Sequence, residues 1–188
     1  TDLAGAKSRV LDAVRAAGLA GRYAGLHPLV SPASQGFSGA RADLFRGAIT
    51  YVTADMEGEP ARPAMRAFVS AVLEAEPVVI DAETHDRQVA WTLELPRAAA
   101  RAVALALAEA GLRGAAFDAA VRSATAMALD AGDGWDGSVL ANPDAVALAL
   151  EALESEIARM RGAIQRGDAG ALRELSAAAE VLARGVAR

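Results

Sequence analysis

From Val146 onward the apolar residues step along the chain by four and three: Val146, Leu150, Leu153, Ile157, Met160 and Ile164. Only a helix keeps a series of that period on one side, so this stretch is committed to an α-helix about 30 Å long. Asn142-Pro143 supplies its start, an acceptor side chain followed by a proline in the first turn. Leu172, Leu175, Ala179, Leu182 and Val186 repeat the spacing on a last helix. The two seams can close on each other, or face a second subunit.

The pattern ahead of Ile80 is different. Asp2 is placed to cap a helix over Leu3 to Ala17, with Gly18 as its stop. Arg22 to Leu26 reads as a short strand ending at His27-Pro28, and Leu29 to Gly39 as a loop longer than a simple connection needs. Strands over Ala48 to Thr53 and Pro77 to Ile80 flank an amphipathic helix, Arg62 to Ala75, with Met65, Phe68, Val69, Val72 and Leu73 on one side. Alternating helix and strand is the back half of an open α/β sheet, and three short strands make a small sheet for an independent domain. Together with the opening Thr1, this suggests that a front half lies upstream.

After Ile80 the reading is helical. Glu83 to Gly111 is one long helix, or two joined near Pro96, because a proline inside a helix removes a hydrogen bond. Its run Ala98 to Ala108 is apolar nearly all round, which predicts burial. Phe117 to Leu129 is a further helix, and Ala131 to Asn142 a polar loop around Trp135. The fold class is therefore mainly α: the C-terminal remnant of a Rossmann-like α/β sheet over residues 1–80, followed by an all-α helical domain over 81–188.

Composition narrows the function. With 53% hydrophobic residues but only 4% aromatic ones, closely packed alanine-rich helices are favoured over sheet. A net charge of −5 spread along the chain argues against a nucleic-acid partner. No apolar run reaches the ~20 residues of a membrane span. The absence of cysteine excludes thiolate metal sites and disulfides and fits a reducing cytoplasm.

His27 is the leading candidate for chemistry, since open α/β sheets place ligands beyond the carboxyl ends of their strands. A neutral imidazole there accepts a proton near pH 7, although position alone leaves a structural hydrogen-bonding role equally open. His85 and Asp86 read as a helix start with Thr84 as cap, and Trp135 as packing more than as a stacking platform. Neither histidine has metal-ligand spacing to a carboxylate, so no metal site is expected. Gly132 to Gly137 spells G-x-G-x-x-G, but it follows a helix and carries two aspartates, so it is not read as a dinucleotide fingerprint.

Four segments in order carry a family resemblance: T-D-L-A-G-A-K from Thr1, R-Y-A-G-L-H-P from Arg22, A-R-A-D-L-F-R-G-A from Ala40, and I-D-A-E-T-H-D-R-Q-V-A-W-T-L-E-L-P-R-A-A-A from Ile80. Together they resemble the prephenate and arogenate dehydrogenases. The resemblance implies an NAD- or NADP-dependent oxidative decarboxylation in tyrosine synthesis, carried out by a homodimer joined through the helical domain. It gives His27 the role of hydrogen-bonding the ring hydroxyl. Asp2 and Gly5 would lie at the cofactor, and Ser31, Gln35, Glu94, Arg97, Arg122 and Trp135 at the substrate. Three positions depart from the family pattern: Gly5 replaces a serine, and Glu94 and Arg97 replace two histidines. These departures leave two rival readings, a relative with another cyclic hydroxy-acid substrate and a non-catalytic dimerisation or binding module.

Overall fold

The computed structural model describes residues 1–30, 37–54, 61–112, 118–129 and 134–186. They form two compact units, Thr1–Val146 and Ala147–Arg188. The first contains α1 (Ser8–Ala16), β1 (Gly25–Pro28), β2 (Ile49–Thr53), α2 (Ala61–Ala71) and β3 (Glu76–Ile80). β2 and β3 are parallel and joined through α2, while β1 runs antiparallel to β2 with His27 opposite Tyr51. Strand alternation then sorts the side chains. Leu26 and Val52 turn to one face, where Ala24, Ala54, Ala75 and Val69 of α2 close a core. His27 and Tyr51 turn to the other.

α1 begins at Ser8, five residues later than the capping argument placed it. The reason is that Asp2 does not act as a cap. Its carbonyl accepts Leu26 N at 3.1 Å, which lays the first residues beside β1. The orphan amides of α1 are met from a distance in sequence: Asp86 Oδ1 accepts Lys7 N at 2.7 Å and Oδ2 accepts Ser8 N at 2.9 Å.

α3 (Ala82–Val89) follows β3 after the single residue Asp81, whose side chain accepts Thr84 N at 2.8 Å. Asp81, not Thr84, is therefore the cap. The helix passes through a π turn at Ala90–Glu94 into α4 (Leu95–Glu109). Pro96 lacks an amide hydrogen, and the bonding pattern widens just ahead of it, so the expected join falls in the π turn. α5 (Ala119–Thr125) is capped by Asp118. α6 (Trp135–Ala141) occupies a stretch expected to be loop. Gly134, at φ 151° and ψ 0°, turns the chain into it through a conformation open to glycine.

α7 (Pro143–Arg166) starts in the first unit and continues through the second, where Gly167 and Asp168 turn it into α8 (Ala169–Val186). Within the second unit the two seams do not bury each other: Ile164 is 65% exposed and Leu182 71%. In the first unit α4 is likewise open, with Leu105 66% exposed where burial was expected. Among the described residues no helix is long and apolar enough to cross a membrane.

Candidate functional site

Two histidines 58 residues apart in sequence meet where β1 ends and α3 begins. His27 Nδ1 lies 2.9 Å from His85 Nε2, and His85 Nδ1 lies 2.8 Å from Asp86 Oδ1. His85 is fully buried, packed edge-on against both the His27 ring and the Tyr51 ring at centroid distances of 5.1 and 5.4 Å. Asp86 is held in turn by the Lys7 and Ser8 amides, and its carbonyl accepts Asn142 Nδ2 at 2.7 Å. The row Asp86, His85, His27 is thus anchored to α1, to the start of α7 and to the sheet.

The charge state of Asp86 orders the row. Burial alone would raise its carboxyl, but hydrogen bonds from His85, Ser8 and Lys7 outweigh that and hold it below the usual range. An ionised Asp86 can only accept, so His85 carries its proton on Nδ1. In the state in which neither ring carries a charge, His85 Nε2 is an acceptor and the hydrogen of that contact belongs to His27 Nδ1. The lone pair of His27 is left on Nε2, away from His85. Burial first, then His85 and the Lys7 ammonium, lowers His27 to about 4 against an opposing pull from Asp86, with Arg97 lowering it further. His27 is therefore neutral at neutral pH and presents one acceptor, as a general base requires.

Lys7, the chain's single lysine, is fully buried behind this row. Its Nζ donates to Asp2 Oδ1 at 2.8 Å and to the Leu26 carbonyl at 2.6 Å, pinning the residue before His27. Asp2 also accepts the Tyr23 hydroxyl and the Ala4 amide. Burial opposes its ionisation, but Lys7 and Tyr23 together keep it below the usual carboxylate range.

A second polar cluster surrounds the π turn. Glu94 is 1% exposed, and its Oε1 accepts Ser138 Oγ of α6 at 2.7 Å with Arg97 Nη1 3.7 Å away. Among the described residues its Oε2 is buried without a partner, as are Arg97 Nε and Trp135 Nε1. The Arg101 guanidinium sits 4.1 Å over the Trp135 ring and also donates to the Arg97 carbonyl. A Cβ at Gly5 would come within 3.2 Å of Ser138 Oγ. A side chain at residue 5 would thus press on the Ser138 hydroxyl of α6.

The structure brings His27, Glu94, Arg97, Trp135, Asp2 and Gly5 into this one unit, with Glu94, Arg97 and Trp135 grouped and Gly5 beside them through Ser138. Arg122 is on the exposed surface of α5. Ser31 and Gln35 lie outside the described residues, as do Gly132 and Asp133. His85, Asp86 and Ser138 were not singled out as functional from sequence. The H-D pair was the available signal, but nothing in its spacing points to a histidine on a distant strand. Among the described residues no group of three or more potential ligands could hold a metal.

The cleft beside α1 does not suit the phosphates of a dinucleotide. The cleft of about 420 Å³ between the start of α1 and the ends of β2 and β3 is lined by Asp12, Asp81 and Glu83 against Arg15, a balance that repels pyrophosphate. Asp2, moreover, is already engaged by Lys7, Tyr23 and Ala4.

A strand-end imidazole is thus backed by a buried carboxylate, on a sheet that leads straight into helices. No protein-family model matches the sequence, and no curated protein matches it. Solved structures do. The fold is that of the prephenate and arogenate dehydrogenases: Synechocystis arogenate dehydrogenase superposes with a TM-score of 0.79 at 21% identity, over 98% of this chain and 68% of that one. The Aquifex aeolicus prephenate dehydrogenase, in complex with hydroxyphenyl propionate and NAD+, gives 0.81 at 18% identity over 97% and 65%. A Corynebacterium glutamicum protein provisionally assigned as a prephenate dehydrogenase gives 0.78 at 22% over 100% and 61%. The chain thus spans about two thirds of the length of these proteins.

Proposed function

We propose that this chain carries the proton-handling site of a prephenate dehydrogenase-like oxidoreductase, acting in the oxidative decarboxylation of prephenate or arogenate toward tyrosine. The carrying observation is the 2.9 Å contact of His27 with His85, with Asp86 behind it. His27 Nε2 accepts the proton of the ring hydroxyl as its carbon is oxidised to a carbonyl. The carboxylate on the opposite ring carbon then leaves as carbon dioxide, and its bonding electrons pass through the ring to the carbonyl oxygen, which takes back the proton from His27 to give the aromatic phenol. His85 and Asp86 stabilise the imidazolium that forms. NAD or NADP would supply the hydride-accepting carbon, held largely by residues other than those described. Fold likeness to the three dehydrogenases supports the reading.

The test is reduction of NAD+ or NADP+ by the protein expressed from its complete gene, with prephenate and with arogenate. Turnover with either acid is the expected result, and none with any of the four pairings contradicts the proposal. Part of the same proposal is a homodimer formed through the exposed seams of the second unit, where Met160, Ala163, Leu175, Ala179 and Leu182 line a groove of about 830 Å³. Light scattering should find a dimer that Ile164→Glu with Leu182→Glu converts to monomer. A monomeric unaltered protein would contradict it.

A further inference from the structure

The cluster at the π turn has buried polar atoms that no group among the described residues satisfies. Glu94 is one of the most deeply buried side chains of the fold, yet only one of its oxygens is bonded. An unpaired buried carboxylate oxygen is costly, on the order of several kcal/mol. Arg97 does not relieve it: the guanidinium approaches Oε1, the oxygen Ser138 already serves, and stops at 3.7 Å. Its own Nε is buried and unpartnered. One acceptor and one cationic donor, three residues apart on one turn, are left without a partner among the described residues.

That pairing complements a zwitterion. Glu94 Oε2 is an acceptor for an ammonium group, and Arg97 a donor for a carboxylate on the adjoining carbon. A keto acid would present only oxygens to Glu94, and carbonyl oxygen facing carboxylate oxygen is repulsive. Arg97 is 17% exposed and so is the member of the pair that solvent reaches. Its charge also bears on His27, which places the pair within electrostatic range of the proposed base.

We infer that Glu94 and Arg97 form a receptor for the α-ammonium and α-carboxylate of an amino-acid side arm, so that the substrate of the His27 site is an amino acid and not the corresponding keto acid. The inference rests on the proposed reading of the site as one for a cyclic hydroxy acid. Ser138 is the positioning residue: it donates to Oε1 and leaves Oε2 as the unbonded oxygen. Gly5 leaves room for it.

L-tyrosine and 3-(4-hydroxyphenyl)propionate differ only by the α-ammonium group and test the inference by calorimetric titration of the whole protein. The unaltered protein should bind L-tyrosine at least ~10-fold more tightly, the effect of one charge-assisted hydrogen bond. Glu94→Gln, which keeps shape and the Ser138 contact, should abolish that preference while leaving the propionate affinity within about threefold. Equal or tighter binding of the propionate by the unaltered protein overturns the inference and leaves the aromatic hydroxy-acid reading standing. A tyrosine preference that survives in Glu94→Gln also overturns it, because Glu94 is then not the reader. Binding of neither compound overturns both.

Discussion

The two buried polar clusters of the first unit are built in opposite ways. Around His85 the hydrogen bonds form a connected row: Asp86 takes two amides and an imidazole, His85 bridges Asp86 to His27, and Lys7 is held by Asp2 and the Leu26 carbonyl. Around Glu94, three buried polar atoms have no partner among the described residues. A connected row holds its shape without a ligand, and its work is to set protonation and orientation. On the proposed reading an open one gains its missing bonds from a ligand and so selects it, which would separate chemistry from selection along one helix.

His27→Asn should break the first cluster most severely, lowering turnover by about 10²- to 10⁴-fold, the range for loss of a general base. A fall of less than threefold would remove His27 from the chemistry. Asp86→Asn comes next. It deprives the row of its fixed charge and one α1 amide of its acceptor, and should cost roughly 3 kcal/mol in urea unfolding, with turnover down at least ~10-fold. Unchanged stability would mean that the two amide bonds do not anchor α1.

Acid should act on the same row. His27 titrates near 4 in the folded chain against 6.5 ordinarily, so on acidification the unfolded chain takes up the proton first. Stability should therefore fall as pH drops from 6.5 toward 4, by at most roughly 3 kcal/mol less what solvent screening removes. Asp2 and Asp86, both held below the ordinary 3.8, add stability above that value that is lost at still lower pH. A flat stability profile between pH 6.5 and 4 would count against a neutral, buried His27. Glu94→Gln should have the smallest effect on folding, within about 1 kcal/mol in the same urea experiment, because one oxygen of Glu94 is already unpaired. A loss as large as that of Asp86→Asn would mean the second cluster is structural.

Periodicity made the helices and strands legible, because it records which face each element buries. It placed β2, β3, α2 and the break ahead of Pro96, and it put His27 at a strand end. It could not show that Asp86 caps α1, since the partners are 79 and 78 residues apart. α6 was hidden by its glycines and by Trp135 and Asp136, whose local preferences read as loop until Ser138 meets Glu94. The seams of α7 and α8 were read correctly as helical, but the spacing alone did not say whether they face each other. Gly5 looked like the loss of a hydroxyl, because only three dimensions place Ser138 against it.

The chain contains two histidines, so nitrogen-15 NMR can observe the row directly. A pH titration of the imidazole nitrogens should show His27 as the Nδ1–H form with Nε2 unprotonated, and with its midpoint near 4. His27 protonated on Nε2 at neutral pH, or titrating at 6.5 or above, would contradict the proton-accepting role on which the functional reading depends.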